Sequence, residues 1–175
     1  DGSKLAAVVQ NGYIYTSTDS GYSWTERTSA GSRNWSKITS SSDGSKLAAT
    51  VNGGSIYISD DYGVTWNASN SGSKNWTRIV SSSDGTKLAA ILNTGNIYLS
   101  SNSGLDWATS TAGSASWSDI TISSDGTKLA APVNDGYIYT SSNSGVTWTQ
   151  RSGAGQRTWG PITSSSDGSI IYAAA

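Results

Sequence analysis

A chain of 175 residues with 11 basic and 12 acidic side chains is near neutral and long enough for one ordinary domain. It carries no basic stripe for nucleic acid, no acidic tail and no apolar run that could span a membrane. Cys, His, Met and Phe are absent, so the chain has no disulfide framework, no Cys-based zinc site and no Ser-His-Asp triad, and no cofactor or metal is expected.

The remaining composition, only 13% charged and rich in Ser, Thr, Gly and Asn, is that of a turn-rich β protein. From the N-terminus, "SKLAAVV" (3–9) reads as a strand, a segment through Ile14 as a second, and "STDSGYSW" (17–24) as the turn that leaves it. A full unit is legible from Trp35. Strand A is "WSKITSSS" (35–42). The Asp-Gly at 43–44 then marks a hairpin, because glycine takes positive φ cheaply. Strand B is "KLAATV" (46–51), "NGG" (52–54) turns the chain, strand C is "SIYIS" (55–59) and strand D is "VTWNAS" (64–69). Equivalent units occupy 76–116 and 117–158, preceded by strands B-C-D in 1–34 and followed by a partial unit at 159–175.

This self-similarity, with a period of about 41 residues, lies in the range of propeller blades. Ile14, Ile56, Ile97 and Ile138 hold equivalent places on strand C and fall on one face by the period of two. A lone four-stranded sheet cannot bury both faces, whereas sheets stacked radially cover one another. The predicted fold is therefore all-β, a β-propeller of four-stranded antiparallel blades, about four of them in this chain. An open β-solenoid is the alternative, disfavoured by the tight hairpin turns. The tally of strands is seventeen, one more than four closed blades use, and the chain opens without Met; a segment of a longer propeller or array is expected.

One phrase recurs in every unit: "STDSGYSW" (17–24), "SDDYGVTW" (59–66), "SSNSGLDW" (100–107) and "SSNSGVTW" (141–148). It resembles the Asp-box, or BNR, repeat Ser-x-Asp-x-Gly-x-Thr-Trp of sialidase- and sortilin-type propellers. The matching residues are Ser17, Asp19, Gly21 and Trp24; Ser59, Asp61, Gly63 and Trp66; Ser100, Asn102, Gly104 and Trp107; and Ser141, Asn143, Gly145 and Trp148. The resemblance implies a propeller and a structural role for the phrase. The exchange of Asp for Asn in two copies agrees, since a turn needs the acceptor oxygen whereas a catalytic carboxylate needs the charge, and the exchange also argues against a calcium site in every blade.

The Asp-Gly turns and the Asp-box turns are expected on one face, and the B-to-C turns and D-to-A connections on the other. The second face varies between units, so a ligand or partner is expected there. Arg33, Lys74 and Arg157 lie in its connections, each near Trp35, Trp76 or Trp159, with Trp117 equivalent in the remaining unit. These Trp residues are either platforms for sugar rings or packing between blades, with packing preferred. Lys37, Arg78, Asp119 and Pro161 fall on the innermost strand. Asn34, Asn67 and Asn75 head sequons that permit N-glycosylation in a secreted chain. With a single Glu and no marked pair of carboxylates, no catalysis is expected. The sequence thus points to a scaffold, extracellular or at the cell surface, that binds a glycan or a protein through its variable loops. The alternatives are a purely structural repeat module that packs in a larger assembly or filament, and a piece of a glycosidase whose catalytic groups lie elsewhere; open terminal edges would also permit self-assembly.

Overall fold

Residues 2–175 are described by the computed structural model, and they form short antiparallel strands joined by tight turns. The first unit contains β1 (Leu5–Val8), β2 (Gln10–Gly12), β3 (Ile14–Ser17) and β4 (Thr25–Arg27). The second contains β5 (Arg33–Ser40), β6 (Leu47–Gly54), β7 (Ile56–Ser59) and β8 (Asn67–Ala68). The third has β9 (Lys74–Ser81), β10 (Leu88–Leu92), β11 (Ile97–Ser100) and β12 (Ala108–Thr109). The fourth has β13 (Thr121–Ile122), β14 (Leu129–Pro132), β15 (Asn134–Gly136), β16 (Ile138–Ser141) and β17 (Thr149–Arg151). Then come β18 (Arg157–Thr158), β19 (Ile162–Ser164) and β20 (Ile171–Ala173).

The second, third and fourth units pair in the order A-B-C-D expected of a meander, and the first pairs B-C-D as β1-β3-β4. In the second, Lys37 faces Thr50, Leu47 faces Ser59 and Tyr57 faces Ala68. Several strand limits differ from the expectation. Strand B runs on to Gly54 and strand A begins at Arg33, because the B-to-C hairpin reaches the next unit: Asn52 pairs with Asn75 and Gly54 with Lys74. Strand D starts at Asn67 rather than at residue 64, because Thr65 and Trp66 still belong to the turn.

Consecutive units are also stitched on the other face. The amides of Ser42, Ser83 and Ser124 donate to the carbonyls of Ser83, Ser124 and Ser166 at 2.7–2.8 Å. Within each unit the two turns on that face meet: Tyr62, Ser103 and Ser144 donate to the carbonyls of Ser45, Thr86 and Thr127. The Asp-Gly and Asp-box turns therefore share one face, as expected.

The core lies between the sheets. Ala48, Ile58, Trp76, Ile79, Leu88 and Ala90 pack between the second and third units, and Ala89, Ile91, Ile97, Trp117 and Leu129 belong to the next cluster. The small Ala-Ala pairs of strand B sit at these junctions, where the absence of a larger side chain lets neighbouring sheets approach.

Candidate functional site

The Asp-box face is built of saturated turns. In the second unit the Ser59 hydroxyl donates to Asp61 Oδ1, which also accepts from the Thr65 amide, while the Thr65 hydroxyl donates to Oδ2. Gly63 takes φ +82°, its amide donates to Ser59 Oγ, and Trp66 Nε1 donates to its carbonyl. The copy at Ser17, Asp19, Gly21 and Trp24 repeats these bonds. Asn102 and Asn143 keep the same two bonds to Oδ1, from Ser100 and the Asp106 amide and from Ser141 and the Thr147 amide. Their Nδ2 groups then donate to Asp106 and to Thr147, so the partner four residues on becomes the acceptor. Trp107 and Trp148 cap Gly104 and Gly145 in the same way.

The Asp-Gly turns are equally closed. Hydrogen bonds from the Ser82 hydroxyl and the Thr86 amide push Asp84 down to about 2, and those from Ser165 and Ser169 do the same for Asp167. In the first Asp-box, the Ser23 hydroxyl and amide and the Ser17 hydroxyl push Asp19 down to about 2. The remaining carboxylates of the described residues are also engaged. Glu26 accepts from Tyr15, Asp60 pairs with Lys46, Asp106 accepts from Asn70 and Asp135 from Thr158. On the innermost strands Arg78 lies 3.1 Å from Asp119 Oδ1, and Asp119 Oδ2 accepts from the Ile162 amide. No acidic cluster suited to a metal occurs among the described residues.

The opposite face carries Trp35, Trp76, Trp117 and Trp159, which are buried, at 7% exposure or less. Each of the first three meets a Tyr edge-on, Tyr57, Tyr98 or Tyr139, and leans on the Asp-box Trp of its own unit. The indole N–H groups of Trp76, Trp117 and Trp159 donate to the carbonyls of Gly54, Gly95 and Gly136 in the preceding hairpin. Trp35 Nε1 is the one buried side-chain polar atom without a partner among the described residues. The ring faces are filled by protein and offer no stacking surface.

The cations remain at the surface. Arg33 lies 4.4 Å over the Tyr57 ring, Lys74 5.0 Å over Tyr98 and Arg157 5.9 Å over Trp159. Arg33 Nε donates to the Ala30 carbonyl and Arg157 Nε to that of Ala154. A short 3₁₀ turn, Thr28–Ala30 or Ser152–Ala154, supplies each of those carbonyls. Lys74 Nζ donates to Ser71. In the third unit Ala115 takes the equivalent place, so this row of cations has a gap. Sequence reasoning found the cations and the Trp residues but not their stacking, since Tyr57 and Tyr98 lie 24 residues further along the chain. Of the sequon residues, Asn67 and Asn75 are exposed and Asn34 is partly covered by its pairing with Gln10.

No family model and no curated protein sequence matches this chain. Among solved structures it is similar to a GH74 enzyme from Niastella koreensis, at 24% identity and TM-score 0.70, over 84% of this chain and 22% of that one. It is similar to YCF48 bound to a D1 peptide, at 16% identity and TM-score 0.70, over 96% and 56% of the two chains. It is also similar to a chain of the nidogen/laminin complex, at 15% identity and TM-score 0.66, over 92% and 63%. The chain thus spans between about a fifth and two thirds of the length of these structures, and the likeness is one of fold. Together with the repeated antiparallel A-B-C-D sheets, it establishes the architecture of the chain as that of a β-propeller.

Proposed function

We propose that the chain is a non-catalytic Asp-box propeller scaffold whose B-to-C and D-to-A loops bind a polypeptide partner bearing carboxylates. The observation that carries this reading is the row formed by Arg33, Lys74 and Arg157. Each cation is laid on an aromatic ring and tied to a backbone carbonyl, so little side-chain freedom remains to be lost on binding. A guanidinium held through Nε still presents its outer nitrogens, the geometry that takes a carboxylate. A sugar ring would need an exposed aromatic face, and the four Trp residues are buried. Placement outside the cell or at its surface accords with the exposed sequon residue Asn67.

Peptide arrays graded in acidity, run beside a glycan array, test the reading. The wild type is expected to retain acidic peptides with binding that weakens as salt rises, and the double variant Arg33→Glu, Arg157→Glu is expected to lose at least tenfold while keeping its Tm. Retention of glycans with no preference among peptides would overturn it.

A further inference from the structure

Every interior junction has the same lock. The Asp-box glycine of one unit presses on strand C of the preceding unit: a Cβ on Gly63 would meet Thr16, one on Gly104 would meet Ile58 and one on Gly145 would meet Leu99. The carbonyl one residue on is then held by the preceding D-to-A loop. Ser29 Oγ donates to Val64, the Asn70 amide to Leu105 and Thr111 Oγ1 to Val146, at 2.6–2.9 Å.

The next step of this series is a groove. Thr140 and Ser152 stand at the positions that follow Thr16, Ile58 and Leu99, and Ser29, Asn70 and Thr111. Thr140 lines a cleft of about 380 Å³ with Leu129, Arg151, Ser164 and Ile171, and β20 borders it with one edge unpaired. The other end of the molecule shows the matching piece. In the first unit Trp24 is 44% exposed against 7% for Trp66, Leu5 is 39% exposed against 5% for Leu47, and Tyr22 is almost fully exposed.

We propose that the 175-residue chain associates head to tail, the first unit of a second copy filling this groove. The interior junctions identify the occupant: strand C, the Asp-box turn and strand D, here β3, residues 17–24 and β4. They arrive with β1, which plays the strand B role that β20 holds in the acceptor. The incoming β1 therefore replaces β20 on β19. The register is fixed by the repeat, since β19 and β20 pair Ile162 with Ala173, Thr163 with Tyr172 and Ser164 with Ile171. The exchange puts Ala7, Ala6 and Leu5 in those three places and completes an A-B-C-D blade from two chains. It exchanges three residue pairs for three, frees a strand whose Ile171 and Tyr172 are already exposed, and buries Leu5 and Trp24.

The chain has no cysteine, so the test is clean. Sedimentation from 1 µM to 1 mM is expected to give a mass that grows with concentration. Chains carrying Ala6→Cys, mixed with mass-tagged chains carrying Thr163→Cys and oxidised, are expected to form the mixed disulfide. The intrachain pair Thr163→Cys, Tyr172→Cys locks β20 in place and is expected to leave the protein monomeric. A wild type monomeric at 1 mM, association that survives the lock, or a monomer that crosslinks internally when it carries both Ala6→Cys and Thr163→Cys would each overturn the proposal.

Discussion

The first and second units carry the same Asp-box and make the same hydrogen bonds within it, yet Trp66 is buried and Trp24 is not. The turn is thus a local object, closed by its own serine, carboxylate and glycine. Its contribution to the core is not local: Trp66 packs on Trp35 of strand A, and Gly63 presses on Thr16 of the preceding strand C, and Trp24 and Gly21 meet neither kind of partner among the described residues. One phrase therefore does two separable things, and the two units separate them.

The largest effect expected of a single substitution is at a junction. Trp76→Ala removes a buried ring that meets Tyr98 and Trp107 and donates to Gly54, and should cost about 3–5 kcal/mol, measured by denaturant unfolding. Next comes the glycine that joins two units. Gly63→Ala combines a positive φ with a Cβ 2.9 Å from Thr16 and should cost about 1–2 kcal/mol, whereas Gly21→Ala, with φ +88° and a Cβ 3.2 Å from Leu5 of its own unit, should cost about 1 kcal/mol. Equal losses would mean that the backbone conformation alone decides.

Acid probes the turns. Asp19, Asp84 and Asp167 are held down to about 2 when folded, against about 4 for a free Asp. A depressed folded pKa stabilises above the unfolded value and is lost as pH falls towards the folded one. Thermal stability should therefore fall between about pH 4 and pH 2, and Asp84→Asn should flatten that slope. The smallest effect is expected of Asp61→Asn, since Asn102 and Asn143 already accept the same two bonds. Its Tm should stay close to that of the wild type, while Asp61→Ala, which leaves the Thr65 amide without its acceptor, should fall clearly below it.

Much of this was legible in the sequence for definite reasons. Asp-Gly at 43–44 and the box at 59–66 fix the phase of a blade, because each marks a turn whose geometry demands those residues. The sharing of one face by these turns follows from strand order. The start of strand D was misplaced, because Trp66 looks like a strand residue while its indole is committed to the Gly63 carbonyl. Whether Trp76 stacks on a sugar or on Tyr98 could not be read from local sequence, since the ring that decides lies in the next strand C. The groove over Thr140 has no motif of its own; it is visible only by stepping the junction lock forward along the repeat.

The most direct test of the distinction between turn and junction is a pair of unfolding free energies, Trp24→Ala and Trp66→Ala, measured at low micromolar concentration. Trp66→Ala should lose about 3–5 kcal/mol and Trp24→Ala no more than about 1 kcal/mol. Equal losses at the two positions would contradict the account.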